Sequence, residues 1–168
     1  MSPHKSLALA TVLIFWSRIE QASAVEFEPM KNALVSLLGS PKVMKKSVDD
    51  GKGHKSDVFY VKGAKGASKV AVIERGLYEP DCTHTWAIGL DATSGKVTQI
   101  RTIEMKCQHA FPCKAASFLD QYTGKGPADI AKLSGQINTI AKATATANLT
   151  TDAVKRSITA YQKVKGTL

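Results

Sequence analysis

The chain has no apolar run of the roughly 20 residues that a membrane-spanning helix needs; the stretch from Leu7 to Trp16 is about half that long. It has no nucleophile elbow, phosphate-binding glycine loop, dinucleotide fingerprint or paired-carboxylate spacing, so hydrolytic and group-transfer chemistry have no sequence basis. Its acids Glu74, Glu79, Asp81 and Glu104 are scattered around strand ends without a defining spacing. Internal repeats and low-complexity segments are missing too. Acidic charge is in short supply: 14 Asp and Glu stand against 23 Lys and Arg, for a net charge of +9. The lysines cluster at Lys42 to Lys55, Lys62 to Lys69 and Lys155 to Lys165. They lack arginine–aromatic interleaving, and no nucleic-acid motif accompanies them, so nucleic acid is not an expected partner. A solvated basic face is expected, of a kind that steers acidic proteins or anionic cofactors.

What is present starts with an export signal. His4 and Lys5 precede the apolar run, and Ala22-Ser23-Ala24 supplies a small-x-small cleavage pattern. Residues 1–24 read as a signal peptide and 25–168 as one exported, periplasmic domain, soluble after cleavage; an uncleaved membrane anchor is the alternative. Phe27, Met30, Leu34, Leu37 and Leu38 recur at helical spacing, with Pro29 in the first turn and Gly39-Ser40-Pro41 as the stop. Lys42 to Ser56 reads as a polar connection or short irregular element. Asp57 to Lys62 and Lys69 to Arg75 read as strands. Trp86, Ile88 and Leu90 alternate with smaller or polar residues as a half-buried strand, Asp91 to Lys96 turns, and Val97 to Met105 returns. Val97 and Ile100 are out of step by one residue, which predicts a bulge near Thr98 or Gln99. Ala115, Phe118, Leu119 and Tyr122 give a short amphipathic helix closed by Gly124. Val154, Ile158, Tyr161 and Val164 give the stripe of a C-terminal helix, with Lys163 and Lys165 placed for its dipole. This order predicts an α+β fold: an antiparallel sheet with flanking helices.

Two stretches carry chemistry. The three cysteines, Cys82, Cys107 and Cys113, predict one disulfide and one leftover thiol in an exported chain. Cys107 with Cys113 would pin the loop after the hairpin, and Cys82 with either would staple neighbouring strands. Cys82-Thr83-His84 and Cys107-Gln108-His109 also place Cys and His two apart, so these four residues form an alternative metal or haem site. No Cys-x-x-Cys-His attachment motif supports haem. The second stretch, Asn138 to Val154, is made of small residues and hydroxyls that pass straight into a helical pattern. Small residues allow close backbone approach and a helix N-terminus favours anions, so this is a candidate phosphate seat.

Three segments together resemble the FMN-binding domain found in periplasmic flavoprotein subunits of Rnf and sodium-pumping quinone oxidoreductase complexes and in NosR-type regulators. Ile88-Gly89-Leu90-Asp91 to Thr102-Ile103-Glu104 is similar to the family's hairpin. Phe118 to Lys125 resembles its Phe-x-x-Gln-Phe-x-Gly-Lys helix end. Asn138 to Val154 aligns without gaps to Asp-x-Ile-Ser-Gly-Ala-Thr-x-Ser-Ser-x-Ala-Val-x-x-Ala-Val. The resemblance implies an electron carrier or redox-complex component rather than a stand-alone enzyme. It implies FMN at the loop before the C-terminal helix, covalently on Thr144 through a flavin transferase, or non-covalently. Ala143, Ala145 and Thr146 would line the phosphate end. His109 and Phe111 are candidates beside the flavin ring, and periplasmic or membrane-bound redox proteins would be partners. Asn138, Ala141 and Lys142 depart from the pattern, standing at its Asp, Ser and Gly. Lys142 takes away a glycine's freedom but adds an ammonium beside the seat. A flavin-free binding or assembly module of the same ancestry is the alternative.

Overall fold

The computed structural model describes residues 25–64 and 66–168. The expected signal peptide, residues 1–24, lies outside the described residues.

Six antiparallel strands form one sheet in the order β1-β6-β5-β4-β3-β2: β1 Val25–Glu26, β2 Met44–Asp49, β3 Lys55–Gly63, β4 Gly66–Tyr78, β5 Cys82–Leu90 and β6 Val97–Met105. Five of these make the body, and β1 adds two residues to the β6 edge. Helix α1 (Met30–Leu38) covers one face and α4 (Thr144–Val164) the other. The fold is therefore α+β with flanking helices, as the element order predicts. Between β6 and α4 the chain runs through a 3-10 segment at Gln108–Lys114, then α2 (Ala116–Leu119) and α3 (Leu133–Gln136).

The helix boundaries follow local chemistry. Pro29 precedes α1, where a missing N–H costs nothing, and Gly39 ends it in the left-handed region at φ 68°. Leu34 and Leu38 bury against Ala71, Ile73, Ala87 and Ile103, each contributing about 2 kcal/mol. The opposite face is larger and takes Trp86, Ile88 and Leu90 from β5 under Val154, Ile158, Tyr161 and Val164 from α4. Strand β5 is thus covered on both faces, where alternation alone predicts one. The bulge is where the sequence places it: Leu90 pairs with Val97 and Gly89 with Gln99, which leaves Thr98 unmatched.

Two expectations need correcting. The segment Lys42 to Ser56 is not an irregular connection, for it holds strand β2, paired residue for residue with β3. Val48 is its only buried side chain, so the periodicity carries almost no signal. Its exposed Lys45 and half-buried Lys46 suit an edge strand, where like charge discourages pairing with another chain. The C-terminal helix also begins earlier than its apolar stripe, at Thr144, so Thr144, Ala145 and Thr146 form its first turn rather than a loop before it. The buried hydroxyls of Thr150 and Thr151 donate to the carbonyls of Thr146 and Ala147 four residues back, which lets threonine line a core face. No helix among the described residues is long and apolar enough to cross a membrane.

Candidate functional site

The lead-in to α4 is a tight backbone turn. Ala143 N–H donates to Ile140 C=O at 3.0 Å, and Lys142 has φ 67°, the one non-glycine residue of positive φ among the described residues. Lys142 therefore holds the conformation that glycine takes most easily, at a cost of about 1 kcal/mol. Lys142→Gly is expected to raise the unfolding free energy by about 0.5–1 kcal/mol, since glycine's extra unfolded-state freedom cancels part of the gain. Urea denaturation checks this, and a loss of stability would show that the ammonium holds the turn.

Ala143 is the N-cap, with no side chain capping the helix, and its carbonyl accepts the first helical bond from Ala147 at 3.0 Å. The amides of Thr144, Ala145 and Thr146 therefore lack helical acceptors, as first-turn amides do. Lys142 and Thr144 are exposed and Ala145 is half-buried, whereas Ala143 and Thr146 face the core. The accessible donors are one hydroxyl, one ammonium and first-turn N–H groups, a set that fits a phosphate. Thr146 is not part of that outer surface.

Backbone and side-chain bonds bring together the three segments of the resemblance. Gln121 is clamped to Asn138, whose N–H donates to Oε1 at 2.7 Å and whose carbonyl accepts from Nε2 at 3.2 Å. Val97 N–H donates to Lys125 C=O and Gly124 N–H to Val97 C=O, each at 2.8 Å. Tyr122, fully buried, donates its hydroxyl to Thr151 Oγ1 at 2.9 Å, and burial pushes its pKa up to about 12. The 3-10 segment carrying His109 and Phe111 is tied to the same place, for the Cys113 thiol lies 3.8 Å from Ala143 O. Phe111 itself packs edge-to-face on Phe27 with centroids 5.1 Å apart, and His109 is exposed. The exposed groups at the start of α4 thus fit a phosphate group.

The disulfide joins Cys82 to Cys107, not Cys107 to Cys113. Cys113 is a buried free thiol whose pKa burial pushes up to about 11, which leaves it unreactive at neutral pH. The alternative metal site loses both of its thiolates to that bond. Its histidines also differ in surroundings, His84 being fully buried and His109 exposed. Among the described residues no group of three or more His, Cys, Asp or Glu side chains is placed to hold a metal.

Sequence reasoning missed a buried ionic cluster. Glu74 on β4 has no exposed side-chain surface; Arg156 Nε donates to its Oε2 at 2.9 Å, His54 Nε2 lies 2.8 Å from the same oxygen, and Ser56 Oγ donates to Oε1. The available signal was a lone acid inside the apolar run Val70 to Ile73 and beyond, where burial demands partners. Beside it, Lys52, Lys155, Arg156 and Lys163 line a cavity of ≈ 240 Å³ floored by Val48 and Ala160, with Asp50 as its one acid. Two lysine clusters far apart in sequence meet there.

Comparison with protein-family models gives no match, and no curated protein matches the chain.

Proposed function

We propose that the chain is an exported electron-transfer protein carrying FMN at the start of α4. The observation that carries this reading is Lys142: it keeps the left-handed turn at the glycine position of the resembled pattern, directly before an exposed Thr144 in the first helical turn. Thr144 would hold the phosphate as an ester or by a hydrogen bond, the first-turn amides would donate to it, and the Lys142 ammonium would offset its charge. FMN, when bound, supplies one- or two-electron redox chemistry, which the protein tunes by charge and burial. The basic cleft beside α4 would steer an acidic periplasmic or membrane-bound redox partner by long-range attraction. A disulfide suits the oxidising compartment that the leader implies. The second reading, a flavin-free binding or assembly module, is favoured by Asn138, Ala141 and Lys142, which depart from the resembled pattern.

One preparation separates the two. Protein from an exporting host that has a flavin transferase is expected to be yellow, and covalent attachment would show as fluorescence in a denaturing gel and a mass gain of FMN less water. Thr144→Ala should remove the mass gain completely. If the flavin is held without a bond, Lys142→Ala should weaken FMN binding by about tenfold, the worth of one charge-assisted hydrogen bond. A colourless protein with no mass gain and no uptake of added FMN sinks the flavin reading and leaves the module.

A further inference from the structure

We propose that Cys82–Cys107 is a redox-active disulfide that exchanges with a dithiol, His84 being the catalytic residue that stabilises the departing Cys82 sulfur. The placement is geometric. His84 pairs with Met105 across β5 and β6, and Lys106 N–H donates to Thr83 C=O at 2.9 Å, so the ladder continues and sets Cys82 opposite Cys107. On the same face, two residues along β5, His84 Nε2 lies 3.5 Å from Cys82 Sγ. The imidazole is completely buried, tilted against Trp86, and its Nδ1 has no hydrogen-bond partner among the described residues.

A bridge that served only as a staple gains nothing from such a neighbour. Burying a ring nitrogen without a partner is costly, and an apolar side chain of similar size would fill the site without that penalty. Burial also lowers the His84 pKa, so the ring is neutral at neutral pH, and its Nε2–H is the natural donor to sulfur. The two cysteines differ in exposure: Cys82 is 8% exposed, and Cys107 is half-buried. A thiolate of the dithiol therefore attacks Cys107 Sγ. The S–S bond breaks, and its electron pair leaves on Cys82 Sγ, which accepts the Nε2–H hydrogen bond from His84. The second thiol of the reductant then attacks the mixed disulfide and releases Cys107. Two electrons and two protons pass from the dithiol, which closes to its own disulfide, and both cysteines end as thiols. Cys113, buried and far up in pKa, does not compete.

The test uses the folded, oxidised protein and dithiothreitol near neutral pH, with acid quench, alkylation after unfolding, and intact mass. Two new thiols are expected without denaturant, and His84→Phe should slow their appearance at least about tenfold with the far-UV circular dichroism unchanged. On the parent protein, glutathione trapped as a mixed disulfide should map to Cys107. Reduction that occurs only in denaturant, an unchanged rate in His84→Phe, or glutathione on Cys82 would each overturn the proposal. Should His84→Phe fail to fold, native-state reduction and the glutathione map of the parent protein decide the matter alone.

Discussion

Trp86→Ala is expected to lower the unfolding free energy by about 4 kcal/mol, the largest effect of any single substitution considered for this protein. Trp86 is fully buried at the centre of β5, between β4 and β6 and beneath α4. Its ring lies against Gly76, where an added Cβ would meet the indole at 3.0 Å and Leu149 Cβ at 3.4 Å. Truncation would leave a cavity that the flanking strands cannot collapse to fill, because their backbones are held by the ladder. Trp86→Phe separates size from polarity. The indole Nε1 has no hydrogen-bond partner among the described residues, so phenylalanine keeps most of the packing and removes that unpaired N–H. Its cost should be only about 1 kcal/mol. Chemical denaturation of both variants checks the pair of values, and equal losses would show that the indole nitrogen is satisfied after all.

Arg156→Met is expected to cost about 3 kcal/mol, because it leaves a buried carboxylate without its fixed positive charge. Glu74 has no exposed side-chain surface, whereas the Arg156 side chain is 28% exposed. The arginine therefore loses little hydration by pairing, and the glutamate depends on it. Arg156 also donates from Nη2 to Arg75 C=O at 2.9 Å, so one side chain ties α4 to β4 at two points. His54 and Ser56 still contact Glu74 in the variant, which holds the loss near the lower end of the usual range for a broken buried pair. Combining Arg156→Met with Glu74→Leu should recover most of the stability, since an apolar pair avoids desolvating charge. A double-mutant cycle measures the coupling directly. If the Arg156→Met single variant and the double variant were equally unstable, the cluster would be acting through shape and not through charge.

Much of the fold was legible in the residues themselves. The helical stripe of α1 and its Gly39 stop, the β5–β6 hairpin, and the bulge at Thr98 all follow from patterns confined to a few neighbouring positions. Strand β2 was not legible, because a polar edge strand with one buried residue has almost no alternation to detect. The turn into α4, where the phosphate seat is proposed, was legible only in part, as a stretch of small residues and hydroxyls. Which side chains point outward was not, and Thr146 turned out to face the core while Thr144 does not.

The sequence by itself determined the fold class and the excess of positive charge, since each depends on local periodicity or on composition. Only the tertiary structure decided that Cys82 bonds Cys107, that Glu74 meets Arg156 across 82 positions, and that His84 lies against a sulfur. The physical reason is the same in each case. Local pattern says which face of an element is apolar, but partners far apart in the chain are set by strand register and by how α4 crosses the sheet. Those are properties of the packed whole.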